Sequence, residues 1–76
     1  MNYIYKLNLA TVVGEDEVLH TTYGIEAYQP GENSPIRTIS GIFMDRGEAE
    51  RFIRACNLLA LDIDHLDDVV CDVINA

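Results

Sequence analysis

Residues 45–76 read DRGEAERFIRACNLLALDIDHLDDVVCDVINA, and this stretch decides the fold. Asp45 starts a helix: its carboxylate can accept from the free amides of the first turn, and Glu48 stands three residues later as in a capping box. Ala49, Phe52, Ile53 and Cys56 recur at i, i+3, i+4 and i+7, one apolar stripe. Arg51 and Arg54 lie opposite, at ion-pair spacing from Glu48 and Glu50. Asn57 is the expected left-handed stop. The link Leu58-Leu59-Ala60-Leu61 is too apolar for an exposed loop and is expected to tuck into the core. Asp62 caps a second helix, with Asp64 in its first turn suiting the positive end of the dipole. Leu66, Val69, Val70, Val73 and Ile74 form its buried stripe, while Asp64, Asp68, Cys71, Asp72 and Asn75 face outward. Valine is a mediocre helix former, so packing must hold this helix.

Two apolar helix faces need a surface to cover, and the first half of the chain supplies it. From Tyr3 to Val13 the sequence alternates in the strand manner, with Tyr3, Tyr5, Leu7, Leu9, Thr11 and Val13 on one face. Gly14-Glu15-Asp16-Glu17 is a hairpin loop. A second strand follows from about Val18 to Tyr28, its apolar set Leu19, Thr21, Tyr23, Ile25 and Ala27. Pairing Val13 with Leu19 sets Leu9 opposite Tyr23, Leu7 opposite Ile25, and Lys6 across from Glu26 as a favourable pair. A one-residue slip would bury the wrong face of both strands. Gln29 to Pro35 is turn chemistry, with Pro30-Gly31 suited to the centre of a type II turn. A third, shorter strand is expected over roughly Ile36 to Ile39, closed by Ser40-Gly41. Alternation guides it little, because Ile36 and Ile39 cannot both face the core of an unbulged strand. The order is β-β-β-α-α: an α+β fold in which a three-stranded antiparallel meander carries a C-terminal helical hairpin on one face, one domain over residues 1–76.

The chain is 49% hydrophobic and 24% charged, too apolar for disorder. No apolar run reaches the ~18–20 residues of a membrane span, and MNYIYKLNLA lacks the basic start and apolar block of a signal peptide. A cytoplasmic location is the expectation. The formal charge is −8, concentrated towards the end, where residues 62–76 hold Asp62, Asp64, Asp67, Asp68 and Asp72 and no Lys or Arg. That balance argues against direct nucleic-acid binding, whose affinity comes largely from neutralising phosphates, and against anionic membranes.

The residues that could carry chemistry form no constellation. His20, His65, Cys56 and Cys71 have none of the paired spacings of a zinc site, and no cofactor is expected. Cys56 reads as a small core hydrophobe, and Cys71 lies among aspartates that disfavour its thiolate. His65 stands within reach of Asp62 or Asp68 but lacks a partner nucleophile, so it is expected to seal the helix start or sit at the surface. No enzyme is expected. The sharpest feature is the row Asp64, Asp68, Asp72 with Asp67 alongside, a column of carboxylates about 6 Å apart on a helix. Such a column is close to the phosphate repeat of a nucleic-acid strand and could imitate it for a basic partner. It could equally be a solvated face. The tyrosines lack the basic neighbours of a base-stacking platform. The outer sheet face (Ile4, Lys6, Asn8, Ala10, His20, Thr22, Gly24, Glu26) could receive a partner or a second copy, or a strand could add to the exposed edge.

Tyr23-Gly24-Ile25-Glu26, Asp45-Arg46 with Ala49-Glu50 and Phe52, Cys56-Asn57, and above all His65-Leu66-x-Asp68-Val69-Val70-x-Asp72 resemble a family of small uncharacterised proteins of clostridial-type Gram-positive bacteria. The resemblance covers most of the chain, and the final helix is its most distinctive part. A proline often stands in that family where this chain has Ile63. The family has no assigned activity, so the resemblance implies a bacterial, cytosolic, single-domain protein and no chemistry. It singles out His65, Asp68 and Asp72. The expected role is therefore a non-enzymatic protein–protein interaction domain, its partner unknown or a second copy in a homodimer. The alternative is an acidic decoy acting through Asp64, Asp67, Asp68 and Asp72; these four and His65 are the candidate interaction residues.

Overall fold

The computed structural model describes residues 2–75. Strands β1 (Ile4–Val13), β2 (Leu19–Tyr28) and β3 (Arg37–Phe43) form one antiparallel sheet in that order. Helix α1 (Arg46–Leu58), a 3₁₀ turn (Ile63–His65) and helix α2 (Leu66–Ile74) follow. This is the expected α+β arrangement, β-β-β-α-α.

The β1–β2 register is the one alternation dictates: Val13 faces Leu19, Leu9 faces Tyr23, Leu7 faces Ile25 and Lys6 faces Glu26, without a break. Lys6 does not close on Glu26, however. Its ammonium lies over the Tyr28 ring, 4.7 Å from the centroid, where the negative ring face attracts it. The loop closes by a Glu17 amide to Gly14 carbonyl bond of 3.0 Å and a Gly14 amide to Val18 carbonyl bond of 3.0 Å, with Glu17 at φ 61°. A turn followed by one left-handed residue is the three-residue hairpin loop, here with glutamate where glycine fits best. The Pro30-Gly31 turn also forms as expected, with Gly31 at φ 82° and Glu32 donating to the Gln29 carbonyl.

The third strand differs from expectation. It begins at Arg37, leaves Ile36 exposed, and runs through Ser40-Gly41 to Phe43. Ile25 pairs with Ile39 and Tyr23 with Phe43, so two steps on β2 answer to four on β3. The strand absorbs the excess in a bulge, with Gly41 at φ 71°. Gly24 makes this possible. A Cβ there would stand 2.0 Å from the Ile39 carbonyl oxygen, so only glycine lets the bulged strand come this close. Across the glycine, the Ser40 hydroxyl reaches Asn8 Oδ1 on β1 at 2.9 Å.

The core joins Tyr5, Ile25 and Ala27 of the sheet to Ile53 and Cys56 of α1 and to Leu66 and Val70 of α2. Burial of the isoleucine, leucine and valine side chains among them stabilises by about 1.5–3 kcal/mol each. Asp45 caps α1, its carboxylate accepting from the Glu48 amide at 2.9 Å. The ion pair along α1 is Arg46–Glu50 (2.8 Å), not Glu48–Arg51 or Glu50–Arg54, and its i, i+4 geometry brings it to the same exposed face.

Four further expectations for this half are corrected. Asn57 does not stop α1, which runs on to Leu58; the left-handed residue is Ala60, at φ 49°. Leu58 and Leu59 are 79% exposed, on the rims of two open hollows beside α1, and of the link only Leu61 packs against the core. Asp62 caps a 3₁₀ turn and not the α-helix directly, accepting from the Asp64 amide at 3.0 Å; α2 starts at Leu66. Ile74, expected on the buried stripe, is exposed on the last turn of α2, and Val69 and Val73 are half-buried.

Candidate interaction surface

The elements that build the core also leave part of the hairpin uncovered. Asn57, near the end of α1, grips the edge of β1: its Oδ1 accepts from the Tyr5 amide at 2.8 Å and its Nδ2 donates to the Tyr5 carbonyl at 3.0 Å. A carboxamide carries the same donor and acceptor as a peptide group, so this side chain substitutes for one rung of a neighbouring strand. The Tyr5 hydroxyl donates to the Leu61 carbonyl at 2.5 Å. Burial foremost, then the nearby Cys56, Asp62 and Tyr3 groups, pushes the Tyr5 phenol up to about 12, so it stays a donor.

Beyond Tyr5 the edge is open. Tyr5 turns its amide and carbonyl away from β2, and the unbroken β1–β2 register repeats every second residue. Leu7, Leu9, Thr11 and Val13 therefore present their backbone groups outward, where they have no partner among the described residues. The core-side face of the same stretch is also bare: Leu9 is 57% exposed, Val13 67% and Leu19 68%. Length explains it. A thirteen-residue helix spans about 20 Å, whereas a ten-residue strand spans about 33 Å. With Asn57 anchored at Tyr5, α1 runs out before the hairpin does. The tip is held separately: Asp16 accepts from the Val18 amide at 3.1 Å and lies 3.1 Å from His20 Nε2, contacts that lower its carboxyl from the ordinary value in that order of strength.

Two hollows flank α1. One, of about 530 Å³, lies between the β1 edge and the helix and is lined by Leu7, Ile53, Asn57 and Leu58 with Arg46, Glu50 and Arg54. The other, about 260 Å³, is an apolar slot between the helices, where Phe52, Cys56 and Leu59 face Leu61, Val69 and Val73. It accounts for the half-exposed state of the two valines.

The residues singled out from sequence are scattered by comparison. Asp64, His65, Asp67, Asp68 and Asp72 are all exposed. Asp68 and Asp72 keep helical spacing on α2, but Asp64 sits in the 3₁₀ turn, whose three residues per turn put it out of line with them. Asp67 Oδ1 binds Arg37 Nη2 of β3 at 2.5 Å, which ties α2 to the sheet. His65 makes no capping bond with its side chain. Cys56 is buried and Cys71 exposed, and burial pushes the Cys56 thiol up. Among the described residues, no group of three or more His, Cys, Asp or Glu side chains is arranged to hold a metal ion. No helix there is long and apolar enough to cross a membrane.

Comparison with protein-family models, curated proteins and solved structures returned no match. The surface must therefore be judged on its own chemistry. Alternation puts Leu7, Leu9, Thr11, Val13 and Leu19 on the core side and makes Leu58 part of a buried link, while Asn8 and Ala10 belong to the outer face, where an added strand or a second copy is an expected occupant of the edge. Comparing the length of the expected helix with that of the strand beneath it was the available signal that the cover would fall short.

Proposed function

We propose that this protein is a non-enzymatic protein–protein interaction domain whose binding surface is the uncovered half of the β1–β2 hairpin. One observation carries the reading: the apolar face of the hairpin continues past the end of α1, alongside a strand edge that pairs with no other strand among the described residues. Natural sheets blunt such edges with charges, prolines or cover, and Leu7 to Val13 has neither a charge nor a proline. A partner recovers both terms at once, apolar burial from the face and hydrogen bonds from the edge. The bacterial, cytoplasmic setting implied by the family resemblance belongs to the same proposal.

The test is photo-cross-linking in cells, with a photoreactive residue at Leu19 and a control at exposed Asn33. A discrete adduct from position 19, missing from position 33, is expected. Equal and diffuse labelling at both positions would count against the reading.

The acidic decoy is second. The exposed carboxylates of Asp64, Asp68 and Asp72 favour it, since none is paired to a cation among the described residues. Replacing all three with asparagine should abolish salt-sensitive capture of a basic partner if this surface does the binding.

A further inference from the structure

We infer that the partner of the β1 edge is a second copy of this chain, joined antiparallel across a two-fold axis at Ala10 to give a continuous six-stranded sheet. This rests on the interaction reading above and names the occupant of that surface.

Hydrogen-bond parity sets the register. Two antiparallel edges bond through residues that both point outward, and in β1 these are Leu7, Leu9, Thr11 and Val13. With Ala10 on the axis, Leu7 meets the partner's Val13 and Leu9 meets the partner's Thr11, so all four free rungs are used. A shift of the axis to Leu9 or Thr11 wastes one rung in each copy, and the first also drives Val13 against Tyr5, already occupied by Asn57. The pairing therefore begins where the Asn57 clamp ends. The β3 edge cannot compete, because its bulge at Ser40-Gly41 interrupts the ladder.

Shape and charge agree with this register. Antiparallel pairing lays the bare end of each hairpin beside the helix-covered end of the other. The partner's Val13 then stands next to Leu7 at the mouth of the 530 Å³ hollow, where Leu58, 79% exposed, can close over it. Two copies of charge −8 repel in general, but the paired segment is uncharged from Leu7 to Gly14. Just past it, Gly14 falls opposite the partner's Lys6. The acidic tip, Glu15 to Glu17, is thereby carried towards that lysine and towards Arg54 on the rim of the hollow, where Arg46 is already paired with Glu50. Opposite charges meet at both ends of the seam.

The axis gives a direct test. Ala10 faces its own counterpart in a non-hydrogen-bonded pair, where Cα atoms lie about 4.5 Å apart, within the range a disulfide accepts. In a Cys71→Ser background, Ala10→Cys should oxidise to a covalent dimer. Asn8→Cys and Val12→Cys should each form no disulfide alone, because each faces the other position across the seam, yet cross-link when mixed. In the unmodified protein, light scattering should show mass rising from one to two copies with concentration. Thr11→Pro removes an outward amide without touching the β2 ladder and should weaken dimerisation at least tenfold with unchanged circular dichroism; Leu9→Lys should do the same if the proline variant fails to fold. Mass that stays at one copy at every concentration overturns the inference. So does a dimer indifferent to both variants in which Ala10→Cys fails to cross-link, a result that would move self-association to the slot between the helices. A monomer that still gives a discrete adduct with another protein from position 19 overturns only the second copy, whereas loss of that adduct as well removes the interaction surface itself.

Discussion

One hairpin has two fates in this molecule. Near its open end, Tyr5, Ile25 and Ala27 lie under the helices, almost without solvent exposure. Near its turn, Leu9, Val13 and Leu19 continue the same apolar face and are mostly exposed. The alternation is identical in both halves. It states which face is apolar and says nothing about what covers it; cover is decided by where α1 is anchored and how far thirteen helical residues reach.

Truncating the two halves separately should expose that difference most strongly. Ile25→Ala is expected to cost about 2–5 kcal/mol in urea unfolding, since it opens a cavity under α1 and α2. Leu19→Ala, on the same face, should cost under about 0.5 kcal/mol in dilute solution. Comparable losses would erase the distinction between the halves.

Next in size is the clamp. Asn57→Ala leaves the amide and carbonyl of Tyr5 without their partner and should cost about 1–3 kcal/mol. Much of the fold was legible before the structure: the β1–β2 register, the Asp45 cap and the Pro30-Gly31 turn are local signals. Asn57 was not. Its partner lies 52 positions away, and near the end of a helix an asparagine reads as a stop. The course of β3 was hidden for a similar reason. It depends on the absent side chain of Gly24, a gap that only the neighbouring strand reveals. Of the candidate site, the acidic residues are at the surface as expected, but the 3₁₀ turn at Ile63–His65 takes Asp64 out of the column that local spacing suggests, and Arg37 binds Asp67 beside it.

The covered half should also carry the alkaline response. The Tyr5 phenol ionises near its ordinary value of 10 in the unfolded chain and at about 12 when folded. Its contribution is complete below pH 10 and is lost as pH rises towards 12. Burial raises the Cys56 thiol as well, with the same sign and an earlier onset. Denaturation midpoints should fall through this window. Tyr5→Phe should flatten the tyrosine part of the fall and, by losing the bond to the Leu61 carbonyl, lower stability at neutral pH by about 0.5–1.5 kcal/mol.

The smallest effect belongs to the exposed half. Glu17 holds a left-handed backbone at φ 61°, so Glu17→Gly should stabilise the protein by about 1 kcal/mol. A loss instead would mean that the tip does more than turn the chain.

Amide hydrogen exchange along β1, measured dilute enough to keep the chain alone, tests the account most directly. The Tyr5 amide should be protected by Asn57, while those of Leu9 and Thr11 exchange as freely as an unstructured edge allows. Equal protection at all three would mean that the distal hairpin is covered within one copy, and the contrast between its halves would be gone.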